Sequence, residues 1–320
     1  LAYHSQGSII YWKYKDYLPE NSKKIDAFID VLPSEIVIND TAWVVKPAHI
    51  ALQDKYIDVE NVELARPSQH IIIDGTLSTN SLDTLCVDLQ DVNLNYIFET
   101  LNIDFVTFGG SATGRVDVAN VFAPKPHIVL ENLQVENFSY NGAVFGNLSA
   151  YSHLDTDNMG ILIKGAITNA QQQESYVDGY IFPTRDSISI AFDVDHVPLK
   201  FLHPFIQTIF TEVDGSASGS VVLEGNFERI CVYGEAFAHR FTFGVPFINT
   251  RYTLSDSIHL TRTQIRFDNV TAMDDYGNTA KASGVINHKY FVNPEYDIKI
   301  YDARNIMAFD VRHTPSIPYF

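Results

Sequence analysis

The sequence predicts an all-β fold in which antiparallel strands recur in long repeats and build one continuous rod. Two observations carry this. Gly109-Gly110-Ser111-Ala112-Thr113-Gly114-Arg115-Val116-Asp117-Val118 returns as Asp214-Gly215-Ser216-Ala217-Ser218-Gly219-Ser220-Val221-Val222-Leu223, so Gly110 and Gly215 stand 105 positions apart. Apolar residues also alternate with polar or small ones in short runs bounded by turn residues, the period-two signature of strands with one face toward a core. Repeating units that cannot bury an apolar face alone stack into one body.

Further anchors extend the register. Val92-Asn93-Leu94 matches Val197-Pro198-Leu199, and Ile73-Asp74-Gly75, Val177-Asp178-Gly179 and Ala282-Ser283-Gly284 recur at nearly the same spacing. The division expected from them is a partial N-terminal repeat over 1–74, repeat one over 75–178, repeat two over 179–283, and the start of a third, truncated repeat over 284–320. Gly75, Gly110, Gly114, Gly179, Gly215, Gly219 and Gly284 read as structural positions. The two glycine pairs suit a tight turn before a strand, followed by close backbone approach or a bulge.

Taken in order, residues 1–24 hold an aromatic cluster, Tyr11, Trp12, Tyr14 and Tyr17, suited to core or edge strand. Lys24 to Val31 reads as at most one amphipathic helical turn, closed by Pro33. Strand signals then dominate: Glu35 to Ile38, His49 to Leu52, Tyr56 to Val59, Arg115 to Val118, Asp186 to Val194, Gln264 to Phe267 and Tyr296 to Ile300. The apolar sides of such strands present Ile71, Ile73, Val116, Val118, Ile188, Ile190, Phe192, Val194, Val221, Leu223, Ile265, Phe267, Ile298 and Ile300. Turns are expected at Asn141-Gly142, Ser255-Asp256 and Asp274 to Asn278. Three- and four-residue apolar steps predict short helices over Val92–Leu101 and Val197–Phe210, at the same place in the repeat and about 105 residues apart, the second interrupted by Pro204.

Composition narrows the function. A net charge of −17 opposes a nucleic-acid partner, whose phosphates require Lys and Arg to displace counterions. No apolar run approaches the roughly 18 residues of a membrane-spanning helix, and the first residues carry no basic and apolar export signal. Cys86 and Cys231 lie in apolar runs and read as free, buried thiols behaving as small hydrophobes; a disulfide has no spacing signature.

No motif carries catalysis. Gly109 to Arg115 fails as a phosphate loop, because Arg115 stands where the lysine belongs and Val116 where a hydroxyl belongs, and a strand follows. Ala217 occupies the central position of the one serine-rich elbow, which removes the nucleophile. The histidines lack zinc spacing, and Asp274-Asp275 lacks the ligand alternation of a calcium loop. Asn39, Asn137, Asn147 and Asn269 begin Asn-x-Ser/Thr triplets, which arise readily in turn-rich chains. No enzyme, cofactor or metal is expected.

The run Asp195 to Phe210, Gly215-Ser216-Ala217-Ser218-Gly219, Gly225, Gly234, Gly244 to Tyr252, Ser255-Asp256, Ile265 to Asn269, Asp274, Gly277-Asn278, Gly284 and His288 resembles the repeated segments of the TamB family in the AsmA-like superfamily. The resemblance covers about Asp74 to Asp310. It implies a β-sheet curled like a taco around an apolar groove, in an inner-membrane-anchored protein of the Gram-negative periplasm. It implies phospholipid acyl chains as ligand, an Omp85-type outer-membrane protein as partner, and a role in lipid transport or outer-membrane protein assembly. The family's membrane anchor and C-terminal domain have no counterpart here, so an internal piece is expected. The rival expectation is a structural or adhesive surface repeat whose apolar faces seal against each other.

Overall fold

Alternating apolar side chains put one face of each strand toward a shared layer, and the ladder that follows is antiparallel throughout. The computed structural model describes residues 5–6, 11–14, 27–38, 41–80, 82–95, 108–122, 127–155, 160–182, 185–207, 210–226, 229–246 and 248–309. In order the strands are β1 (Ser5–Gln6), β2 (Tyr11–Tyr14), β3 (Ala27–Val31), β4 (Ser34–Ile38), β5 (Thr41–Val45), β6 (Ala48–Gln53), β7 (Tyr56–Ala65), β8 (His70–Leu77), β9 (Thr84–Asn93) and β10 (Phe108–Ala119). They continue as β11 (His127–Tyr140), β12 (Ala143–Asp155), β13 (Gly160–Thr168), β14 (Glu174–Phe182), β15 (Ser187–Pro198) and β16 (Thr211–Asn226). The last are β17 (Arg229–Val245), β18 (Thr250–Thr261), β19 (Gln264–Asp274), β20 (Thr279–Lys289) and β21 (Val292–Arg304).

Packing divides the chain into two units: residues 1–138, 147–165 and 182–184 form one, and 139–146, 166–181 and 185–320 the other. In the first unit, β2, β3, β6, β7, β8, β9 and β10 pair in that order, while β5 pairs the far end of β7 and leads through β4 to β1. In the second, β15 to β21 pair as successive neighbours. Among the described residues no pairing closes either series into a barrel.

The same irregularity interrupts both series. On β7, β9, β15, β17 and β19 the register advances three residues where the following strand advances two. Val59 and Val62 face Gly75 and Ile73, Leu89 and Val92 face Gly114 and Ala112, and Val194 and Val197 face Gly219 and Ala217. Ala238 and Phe241 face Asp256 and Leu254, and Phe267 and Val270 face Gly284 and Ala282. The residue inside each bulge, Asn61, Asp91, His196, Arg240 or Asn269, has a φ near +50°. Its amide would be orphaned by the extra residue. In every case the middle residue opposite accepts that N–H with its side chain: Asp74 at 3.0 Å, Thr113 at 3.0 Å, Ser218 at 3.0 Å, Ser255 at 2.9 Å and Ser283 at 2.8 Å. Asn147 Oδ1 does the same for the Asn137 amide at 3.1 Å.

The glycines belong to this device. Gly110, Gly114, Gly215 and Gly219 lie inside β10 and β16, and their place is mid-strand rather than in a turn. Gly219 shows why: at φ +151°, a Cβ would stand 2.2 Å from the Glu235 carbonyl oxygen and 2.7 Å from the Ala236 Cα of the next strand. Ser255-Asp256, expected as a turn, is likewise the capping pair in mid-β18. Asn141-Gly142 is a turn, and Asp274 holds the turn to Asn278 by accepting the amides of Tyr276 and Asn278.

Among the described residues, helices at regular intervals are not found. Lys24 to Val31 contains β3 from Ala27 onward, because Ile29 and Val31 pair with Ile50 and Ala48 on one face. Val92 and Asn93 end a strand, Leu94 and Asn95 are helical, and the remainder of the helix expected to Leu101 lies from residue 96 outside the described residues. Val197 and Pro198 also remain strand, since the bulge keeps Val194 and Val197 on one face. Only then come a 3-10 turn, Leu199–Leu202, and a single α turn, His203–Ile206.

Glycines at bulges and glycines at turns should therefore respond differently to a methyl group. Gly142, at φ +74°, has no atom within 4 Å of a Cβ, so Gly142→Ala should cost about 1 kcal/mol of backbone strain. Gly219→Ala adds a clash with backbone that cannot move without breaking pairing, and should cost about 3 kcal/mol. Urea denaturation of the two variants checks this; equal losses would remove the close-approach explanation.

Candidate functional site: an apolar sheet face

Directly opposed residues in an antiparallel pair share a face, so the register assigns faces strand by strand. In the second unit Ile190 opposes Leu223 and Phe192 opposes Val221, while Ile188 and Val194 oppose Gly225 and Gly219. The face continues through Val232, Gly234 and Ala236 of β17 to Ile258 and Leu260 of β18. It passes from Leu260 to Ile265, from Ile265 and Phe267 to Ile286 and Gly284, and from these to Tyr296 and Ile298, with Ile300 opposite Ala282. Every candidate named from the sequence in this unit lies on this face.

The first unit repeats the arrangement. Ile71 opposes Leu64 and Leu89, Ile73 opposes Val62 and Val87, and Val87 and Leu85 oppose Val116 and Val118. Gly75 stands between Val59 and Leu85 on the same side. Both faces are knit at their bulges. Leu89, Val92, Ala112 and Val135 form a buried cluster flanked by Ile71, Val87 and Leu133. Ala238, Leu254 and Val270 form another, flanked by Phe241, Phe243 and Phe267. Each fully buried Val or Leu there contributes about 1.5–3 kcal/mol.

Away from the bulges the face stays accessible. Of the fourteen candidate side chains only Ile188 is buried; the others are half-buried, apart from Ile298 and Ile300, which are exposed. Phe210, after the helical corner, lies against Phe243 at 4.7 Å and Phe241 at 5.9 Å, covering one end of the face. Sequence reading missed this cover, because its partners lie more than 30 positions downstream.

The opposite face is polar. Glu224 accepts hydrogen bonds from Tyr233 and Arg262 at 2.8 Å each, and these two donors, Arg262 first, hold its carboxyl below the usual range. Glu235 stands opposite His259, and His259 opposite Arg266. Both cysteines are free, yet they sit on this polar side: Cys231 opposes Glu224, and Cys86 opposes Asp74 and Asp117 with the Arg115 guanidinium donating to its sulfur at 2.7 Å. Burial first, and then the Asp117 carboxylate, push the Cys86 thiol up.

One cluster the sequence did not reveal gathers at the β15 bulge. Ser218 accepts the His196 amide, accepts from His239 Nε2 at 2.9 Å and donates to Asp195 Oδ1 at 2.9 Å. Asp195 also accepts from His196 Nδ1 at 2.6 Å, and the His196 and His239 rings stack 4.0 Å apart. His196 first, then Ser218, hold the Asp195 carboxyl below its ordinary value, while burial pushes His239 down. The carboxylate orients Ser218 and His196 rather than His239, so this serine serves as a cap and is not aligned as a nucleophile. Among the described residues no group of three or more His, Cys, Asp or Glu is placed to hold a metal ion, and no helix is long and apolar enough to cross a membrane.

No family model matches the chain, and no match is found among curated proteins or solved structures.

A pH dependence follows from His288. It is 6% exposed, stacks on Phe291 at 4.4 Å, accepts the Phe291 amide at Nδ1, and has no partner for Nε2 among the described residues. Burial therefore lowers its affinity for a proton below the ordinary value of 6.5. The unfolded chain binds that proton more readily, so stability is retained above about pH 6.5 and falls as pH drops below it, by at most about 1.4 kcal/mol per pH unit for one proton. Urea midpoints between pH 7.5 and 5.5 should fall for the native chain and flatten in His288→Phe. An unchanged slope would contradict the assignment.

Proposed function

We propose that this chain handles lipid without catalysis, its apolar sheet face taking acyl chains. The observation that supports this most is the register itself: Ile190, Phe192, Val221, Leu223, Ile265, Phe267 and Ile298 share one face, and none of them is buried. An accessible apolar surface of that extent on a strongly acidic protein is a binding surface by default. Each methylene withdrawn from water contributes about 0.8 kcal/mol, so a chain of a dozen would gain roughly 10 kcal/mol before ordering costs. Such contacts do not read headgroups, and broad selectivity among phospholipids follows. Residue-level likeness to TamB repeats supports the finer reading: a curled groove, a periplasmic setting in an inner-membrane-anchored protein, an Omp85-type partner, and lipid transport or outer-membrane protein assembly.

The native chain mixed with phospholipid vesicles and re-purified should retain phospholipid, detected by mass spectrometry of an organic extract. Phe192→Asp with Val221→Asp, an opposed pair on the apolar face, should retain at least tenfold less. Ser189→Asp with Ser257→Asp adds the same charge on the polar face and should retain as much as the native chain. Equal retention by both variants, or none by the native chain, would sink the proposal.

A further inference from the structure

The last strand repeats the first half of a pairing whose second half is absent among the described residues. Each of the five bulged strands carries an apolar residue, a positive-φ residue two positions on, and an apolar residue one further; β21 does the same at Ile300, Asp302 and Ala303, with Asp302 at φ 49°. Against its inner neighbour β21 steps from Tyr301 to Arg304 while β20 steps from Lys281 to Thr279. This is the relation of β17 to β16, where His239 to Thr242 spans Ser216 to Asp214. On its outer side β17 meets β18, whose Ser255 takes the Arg240 amide. On its outer side β21 meets no strand among the described residues.

Exposure sets that edge apart from the paired strands among the described residues. The residue in the place of Ile300 is buried at Val59, Leu89 and Ala238 (8%, 7% and 4% exposed) and half-buried at Val194 and Phe267, whereas Ile300 is 67% exposed. Tyr296 and Ile298, on the same face, are exposed as well. A long edge of this kind templates pairing, and a bulge already formed fixes the register of what can pair.

We propose that the outer edge of β21 is an acceptor for one antiparallel polypeptide strand carrying an apolar residue, then Ser, Thr or Asp, then Gly. The hydroxyl or carboxylate would take the Asp302 amide, the glycine would lie over Ile300, and the apolar residue would face Ala303. Four of the six capping residues lie in this triplet, Ile73-Asp74-Gly75, Ala112-Thr113-Gly114, Ala217-Ser218-Gly219 and Ala282-Ser283-Gly284, the last three built on alanine, while Ser255 and Asn147 do not. The inference stands on pairing geometry and is independent of lipid binding.

The probe is a labelled peptide with the sequence of Asp214 to Gly225, which would place Ser218 at Asp302 and Val221 and Leu223 opposite Ile298 and Tyr296. Titration into the intact chain should give saturable binding and slow hydrogen exchange at the Asp302 amide. A Ser218→Ala peptide, lacking one hydrogen bond, should bind about fivefold more weakly. Ile300→Lys in the protein, at an exposed position that leaves the melting curve unchanged, should weaken the peptide at least tenfold. Binding of a scrambled or Ser218→Ala peptide as tight as the parent, indifference to Ile300→Lys, or no saturable binding would overturn the proposal. So would concentration-dependent dimerisation abolished by Ile300→Lys, which would assign the edge to a second copy.

Discussion

An amide left over by an extra residue in a strand must find an acceptor, and for Asn61, Asp91, Asn137, His196, Arg240 and Asn269 a side chain from the neighbouring strand supplies it. Ser218 for His196 and Thr113 for Asp91 are the same solution 105 positions apart. The bulge makes a positive-φ residue necessary, the positive φ favours Asn or Asp, and the cap favours a short oxygen-bearing side chain. Glycine beside the cap then lets the next strand close in. A local hydrogen bond thus dictates three residue types across two strands.

The bulge also decides which face is apolar. Plain alternation would turn Val197 away from Val194; one inserted residue returns it to the same side. Apolar side chains at i and i+3 therefore meet across the irregularity and form the buried clusters around Val92 and Val270. Between the bulges the same face is less covered, and the polar side carries the ion pairs, the histidine cluster and both thiols. Stability and accessibility are segregated along the strands: packing concentrates where the bulges bring apolar residues together, and the intervening stretches remain free for contact.

Much of this was legible before any coordinates. Alternation at Ile188, Ile190, Phe192 and Val194 named a strand and its face, and the glycine spacing located equivalent positions in successive repeats. The starts expected for the helices at Val92 and Val197 show where pattern misleads, because an i, i+3 spacing is shared by a helical turn and a bulged strand: both residues are still strand, and the helical turns begin only at Leu94 and Leu199. Ser255-Asp256 has turn composition, yet serves as a cap and a cross-strand partner. Asn137 and Asn269 looked like incidental triplet starts and are bulge residues. Cys86 and Cys231 sat in apolar runs, but parity within the strand puts them on the polar side. What escaped was long-range: the cover by Phe210, the Ser218–His239 cluster and the exposed edge of β21 depend on register between strands, which no single segment encodes.

The central claim is that the face bearing Phe192 meets acyl chains and the face bearing Phe237 does not. Phe237 opposes Ser218 and Ser257 on the polar side and is 41% exposed, so the two phenylalanines differ in face more than in access. Replacing each in turn with the photoreactive p-benzoylphenylalanine and irradiating the intact protein with phospholipid vesicles tests the assignment directly. Crosslinking of phospholipid from position 192 and not from 237 is the predicted result; equal crosslinking from both, or from 237 alone, would contradict it.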